Sequence, residues 1–169
     1  MIIIINGALG VGKSSVADQL RYRFEKSVNL DGDYIGDVHP FEIYDDDRIR
    51  HLYRTLELLI RFHQANGYQN FVINYVFESP ETLQALLQLL SPLDPSIHTY
   101  WLVCDEEEQA RRIRARNREY LDWELNRFVE LQRIQQQAAL SGFIGVAIDT
   151  TRLTAQETAD FIWGNINGC

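Results

Sequence analysis

A chain of 169 residues with a net charge of −8, from 24 acidic and 16 basic side chains, lacks the basic footprint of a general phosphate-backbone binder, which argues against nucleic acid as a partner. Its 46% hydrophobic and 24% charged content is ordinary for a globular protein and rules out extended disorder. The length suits one domain over residues 1–169, burying roughly 70% of the unfolded surface without disulfide or metal staples.

Met1 to Asn6 is a short apolar run that predicts a buried strand stopping at Gly7. It is too short for a signal peptide, and no other stretch approaches the ~20 apolar residues of a membrane span, so no membrane association is expected. Val16, Leu20 and Phe24, at i, i+4 and i+8, predict a helix with one apolar stripe. Ser27 to Leu30 predicts a second strand, ending in the polar turn Asp31-Gly32-Asp33. The spacing of Leu52, Leu56, Leu59 and Ile60 predicts a long amphipathic helix from about Asp45, closed by Asn66-Gly67.

Phe71 to Phe77 predicts a third strand, rich in β-branched and aromatic residues. Ser79-Pro80 starts a helix with Ser as cap and Pro in the first turn. Ile97 to Cys104 predicts a fourth strand, and the acidic run Asp105 to Glu108 suits the start of the helix after it. A helix from about Asp122 to Leu140 follows, then a fifth strand from Phe143 to Ile148. The last helix runs from Thr154 to Ile166, with Thr154 and Glu157 forming a capping box. Strands alternating with helices imply right-handed crossovers and a parallel sheet covered on both faces, a three-layer α/β/α sandwich of five strands. Ligands of such sheets bind outside the carboxyl ends of the strands. Cys104 and Cys169 have no metal-ligand spacing, which argues against zinc and fits a reducing compartment, the cytoplasm.

Gly7-Ala8-Leu9-Gly10-Val11-Gly12-Lys13-Ser14 fits the phosphate-loop pattern G-x-x-x-x-G-K-[ST] without a mismatch, between a buried strand and a helix. Its backbone amides, with Ser15 beside them, suit a nucleotide's phosphates, and the helix end adds its positive dipole. Lys13 can bridge the β- and γ-phosphates, and Ser14 can ligate Mg²⁺. The competing reading is a glycine turn without a ligand. Asp31 and Asp33, as residues i and i+2 of extended backbone, project to one face, where one can serve a metal and the other accept a proton from a hydroxyl. A solvated Asp-Gly turn is the alternative.

The phosphate loop followed by Leu30-Asp31-Gly32-Asp33 resembles P-loop small-molecule kinases of the nucleoside monophosphate kinase-like group, which includes shikimate kinases, gluconokinases, adenylylsulfate kinases and chloramphenicol phosphotransferase-like proteins. That resemblance implies the P-loop NTPase fold, a sheet order of 2-3-1-4-5, and ATP with Mg²⁺. It implies that Asp31 assists the metal and that Asp33 orients or deprotonates the acceptor. It also implies a lid near residues 111–121 and an adenine site near Asp149-Thr150-Thr151. Asn74 stands where many of these kinases place an acidic residue, and the acceptor is not assigned by the likeness.

Arg111, Arg112, Arg114, Arg116 and Arg118 crowd five arginines into eight residues. Guanidinium groups grip phosphate in a fork. Helical spacing separates Arg111, Arg114 and Arg118, the expected catalytic set, from Arg112 and Arg116. A solvated helix paired with Glu106 to Glu108 is the plainer reading. The expected function is an ATP-dependent kinase transferring the γ-phosphoryl group to a hydroxyl, or a phosphate, of a small molecule. The alternative is a nucleotide-binding regulator or an NTPase with little or no such activity.

Overall fold

Ile2 to Ile5 are each at most 1% exposed and lie in β1 (Ile2–Gly7), the middle strand of the sheet, in a computed structural model that describes residues 1–168. In chain order β1 is followed by α1 (Lys13–Arg21), β2 (Ser27–Asp31), α2 (Gly32–Ile35), α3 (Asp46–Ala65) and β3 (Asn70–Asn74). Then come α4 (Pro80–Leu90), β4 (Ile97–Val103), α5 (Glu106–Ala115), α6 (Leu121–Ser141), β5 (Val146–Asp149) and α7 (Ala155–Asn167). The five strands are all parallel in the order β2-β3-β1-β4-β5.

Because successive side chains of a strand face opposite ways, β1 feeds two cores. Ile2 and Ile4 pack with Leu52, Leu56 and Ile60 of α3 and Leu83, Leu86 and Leu90 of α4. Ile3 and Ile5 pack with Val16 and Leu20 of α1, Leu131 of α6 and Ile162 of α7. Each buried isoleucine contributes about 1.5–3 kcal/mol. Four in a row leave the central strand no polar face, which is why helices must cover both sides. No helix among the described residues is long and apolar enough to cross a membrane.

Several boundaries differ from the sequence expectation for local reasons. The first helix stops at Arg21, and Phe24 instead meets the Trp163 ring edge-on at 5.1 Å. The apolar stripe thus outlasts the helix. β3 ends at Asn74, where its partner β2 ends at Asp31, and Phe77 donates its amide to the Asn6 side chain rather than extending the ladder. β5 begins at Val146 rather than Phe143, after Gly145, whose φ of +126° departs from extended strand backbone and where a Cβ would lie 2.7 Å from the Trp101 nitrogen. Asp31-Gly32-Asp33 is not an open turn. It starts the single-turn helix α2, which the spacing did not reveal. Ser79 caps α4 as expected and also forms a capping box with Thr82, and the expected capping box forms at Thr154 with Glu157. Cys104 is buried as a free thiol, and Cys169 lies outside the described residues.

Candidate active site

The carboxyl ends of β1, β2 and β3 bring Gly7, Asp31 and Asn74 to one edge of the sheet. Between β1 and α1 the loop turns through Gly10 (φ +84°) and Gly12 (φ +102°), backbone conformations that a side chain makes costly. Gly12 caps α1 with no side-chain cap, so the amides at that helix end stay free for an anion. The loop is braced from below by buried amides. Asn6 Oδ1 accepts from the Gly7 amide at 2.7 Å, the Phe77 amide at 2.9 Å and Gln135 Nε2 at 2.9 Å. Gln109 donates to the Leu9 carbonyl, and Gln132 donates to Gln109 Oε1 at 2.8 Å.

Lys13 is buried, and its Nζ donates to the Ala8 carbonyl at 3.1 Å. Burial lowers its pKa to about 8, opposed by the charges of Asp33 and Asp31 and reinforced by Arg116. At the next residue, the Ser14 hydroxyl donates to Asp31 Oδ2 at 3.2 Å. Asn74 Nδ2 donates to the same Asp31 oxygen at 2.8 Å and to Ser14 Oγ at 3.3 Å. Asp31 Oδ1 caps α2 by accepting the Asp33 amide at 3.0 Å. Asp33 therefore sits in a helical turn rather than on an extended face. Both aspartates nevertheless act on Lys13. Asp33 is reached from solvent, yet the protein around it is dense enough that desolvation raises its pKa, against the pull of the Lys13 charge.

Ser14 and Asp31 offer a hydroxyl and a carboxylate, hard oxygen donors of the kind Mg²⁺ takes. Asn74 Oδ1 beside them is buried and without a hydrogen-bond partner, an acceptor that could hold a metal-bound water. The donor set fits Mg²⁺ with one full negative charge.

The loop borders two cavities. The first, about 420 Å³, is bounded by Val11, Gly12 and Ser15 of the loop side, by Arg111 and Arg112 of α5, and by the segment from Thr150 to Ala155. Thr150 is buried and its hydroxyl donates to the Val11 carbonyl at 3.1 Å, tying the end of β5 to the phosphate loop. The second, about 390 Å³, opens at Leu9 and Asp33 and is walled by α3, α6 and the chain after β3.

The arginines divide differently from the expected faces. α5 ends at Ala115 with Arg116 still in helical backbone as its cap, and Asn117 follows with φ +48°, so helical phase does not carry through to Arg118. Arg112 turns inward, donating to the Thr150 carbonyl at 2.7 Å and to the Val11 carbonyl at 3.3 Å. Arg116 is close enough to Lys13 to depress its pKa. Arg111 forks onto Glu108 at 2.6 and 2.7 Å and remains largely exposed, while Arg114 is exposed. Arg118 pairs with Glu124 at 3.1 Å at the rim of the second cavity. The grouping of Arg111, Arg114 and Arg118 on one ligand-facing side is corrected accordingly. A signal was present, since Ile113 is the apolar anchor of this segment and Arg112 and Arg116 flank it at i−1 and i+3.

Sequence reasoning also missed the wall of the second cavity. Arg48 and Arg127 are buried there, with Tyr44, Tyr75, Glu78 and Trp123 alongside. These residues come from three separate stretches and form no motif.

Among solved structures, the chain is similar to the tunicamycin resistance protein of Deinococcus radiodurans, at 19% identity and a TM-score of 0.69 over 98% of this chain and 94% of that one. It is similar to a gluconokinase of Sinorhizobium meliloti, at 15% identity and 0.64 over 98% and 91%. It is also similar to a shikimate kinase of Acinetobacter baumannii in complex with shikimate, at 19% identity and 0.62 over 99% and 93%. At such identities the likeness is one of fold. No curated protein matches the chain. A match to the family described as AAA domain spans residues 3–135, which contain the phosphate loop, both aspartates, Asn74 and the arginines. With most of its length inside that match, the chain belongs to the AAA domain family and carries the P-loop fold shared by these solved structures.

Proposed function

We propose that this protein is an ATP-dependent kinase that transfers the γ-phosphoryl group to a hydroxyl of a small molecule. The observation carrying the proposal is the position of Lys13 and Asp33, which interact electrostatically, while the loop that bears Lys13 borders one cavity on each of two sides. ATP would place its base against Thr150 to Ala155 and its phosphates on the loop amides. Lys13 would bridge the β- and γ-phosphates, with Arg112 and Arg116 adding positive charge from α5 and the turn after it. Ser14 and Asp31 would hold Mg²⁺, which when bound neutralises charge on the phosphates.

The acceptor would enter the second cavity with its hydroxyl at Asp33. As its oxygen bonds to the γ-phosphorus and the bond to the β-phosphate oxygen breaks, the hydroxyl proton passes to the Asp33 carboxylate and ADP leaves. The upward push on the Asp33 pKa makes that carboxylate a better base. Most of the rate would come from positioning and fixed charge, since phosphoryl transfer asks little covalent work of the protein.

A second reading, a nucleotide-binding regulator of low turnover, is favoured by one observation: Asn74 supplies an amide where a second carboxylate would strengthen the metal site. Incubation with ATP, Mg²⁺ and a metabolite panel, read by mass spectrometry, separates the two. A phosphorylated acceptor supports the kinase, tight ATP binding without product supports the regulator, and phosphate release alone supports an NTPase.

A further inference from the structure

The second cavity is rich in rings and poor in available cations. Tyr44, Tyr53, Tyr75, Phe41 and Trp123 all border it. The Tyr53 hydroxyl is committed to the Thr82 carbonyl at 2.9 Å, so Tyr53 offers the cavity chiefly its ring. Such walls suit a flat apolar body, which they desolvate without asking for hydrogen bonds.

Three arginines reach the cavity, and each is already engaged. Arg127 pairs with Glu78 and, at 2.7 Å, with Glu130, and its guanidinium lies over the Tyr44 ring. Arg118 pairs with Glu124. Arg48 gives Nε to the Glu42 carbonyl and Nη2 to the Ile43 carbonyl, both at 2.8 Å, with its guanidinium over the Phe41 ring. The forked edge that grips a carboxylate or phosphate is thus spent on backbone, leaving only Nη1 without a hydrogen bond. Asp33 and Asp37 border the same space and have no salt-bridge partner there. An anionic acceptor would meet two carboxylates, while the three guanidinium charges beside them are already offset by Glu78, Glu130 and Glu124 or spent on backbone carbonyls.

Resting on the kinase reading, we infer that the acceptor is an uncharged alcohol with a flat, apolar ring body, and that anionic acceptors such as phosphate monoesters and sugar acids are rejected. One more group fits an uncharged hydroxyl-bearing ligand. Glu124 is 5% exposed on the cavity wall, and its Oε2 has no hydrogen-bond partner, an acceptor that a ligand hydroxyl or amide could satisfy.

The test pairs each uncharged probe with an anionic counterpart of the same ring: nucleosides against nucleoside 5′-monophosphates, and aryl alcohols against aryl alcohols carrying a carboxylate. Glucose serves as an uncharged probe without a flat ring. Transfer from ATP to each is followed by mass spectrometry, and binding of the same probes without ATP is followed by quenching of Trp123 emission, with Trp123→Phe as the blank. The expected result is kcat/KM for the uncharged ring alcohols at least about tenfold above both their anionic counterparts and glucose, with the same order in binding. Asp37→Lys, at an exposed residue on the border of the cavity, should narrow the gap between uncharged and anionic probes about tenfold. Equal or better use of the anionic probes by the unmodified protein, or a gap unmoved by Asp37→Lys, overturns the inference. If nothing is phosphorylated the kinase reading fails, and the quenching order still decides the chemistry of the cavity: preferential quenching by uncharged rings supports the inference, and preferential quenching by anions or none at all overturns it.

Discussion

Asn74 donates its side-chain amide to Asp31 at 2.8 Å, so the end of β3 holds the end of β2 through the carboxylate that also meets Ser14. The amide neutralises no charge but fixes the carboxylate where Ser14 can reach it.

Asn74→Asp replaces that donor with a second carboxylate. Without Mg²⁺ two carboxylates in contact repel, and a loss of about 1 kcal/mol should appear as a fall of about 2–4 °C in Tm. Mg²⁺ should reverse the loss, and the Mg²⁺ concentration for half-maximal turnover should drop. Thermal melts in EDTA and in Mg²⁺ check this directly.

Lys13 carries a pH prediction. In the free protein its ammonium loses its proton as pH rises through about 8, because burial lowers the pKa from 10.5. A triphosphate favours the charged form, so nucleotide binding should be insensitive to this group below that pH. Above it, binding should weaken by up to about tenfold per unit and take up a proton. Calorimetry with a non-hydrolysable ATP analogue at about pH 7 and about pH 9 measures both. Lys13→Met should lose most affinity and this dependence together.

The five arginines should not behave alike. Arg112→Ala breaks the link between α5, the phosphate loop and Thr150, and Arg116→Ala removes positive charge near Lys13. Both should slow transfer and weaken nucleotide binding. Arg114→Ala should stay within about 0.5 kcal/mol of the parent, as exposed substitutions do. Arg111→Ala breaks a solvent-screened pair with Glu108 and should cost little stability. Kinetics at saturating and limiting ATP resolve these classes.

Asn6 is a stability prediction. Asn6→Ala leaves the amides of Gly7 and Phe77 and the Gln135 side chain without their acceptor, in a place water does not reach. At about 1–3 kcal/mol for each buried polar group left unpaired, urea unfolding should show a loss of several kcal/mol. Asn6→Asp keeps the acceptor oxygen and should recover the part due to these donors, at the cost of burying a charge.

What could be read beforehand follows the reach of local physics. Four consecutive isoleucines and G-x-x-x-x-G-K-S are local signals, and they sufficed for the central strand and the phosphate loop. The helix starts at Ser79 and Thr154 were equally legible, because a cap is a contact between residues three apart. The sheet order came from the family likeness. Phe24 misled because packing on Trp163, far along the chain, took it out of the helix its spacing suggested. Gln135 stands in the apolar stripe of Phe128, Leu131 and Ala138, an anomaly that marks a buried polar hub, but its partner Asn6 lies 129 residues away. The second cavity is assembled from α2, α3, α6 and the chain around them, and no spacing within one element encodes it.

The most direct test of the kinase reading is Asp33→Asn in a single-turnover assay with ATP, Mg²⁺ and an acceptor identified from the panel. The change keeps the shape of the side chain and removes the base proposed to take the hydroxyl proton. It also removes a charge that supports the Lys13 ammonium, so nucleotide affinity is measured beside transfer at about pH 7, where Lys13 remains largely protonated. The account predicts phosphoryl transfer slowed about 10²–10⁴-fold, with ATP affinity changed only a few-fold. Transfer at the parent rate with the same acceptor would contradict it.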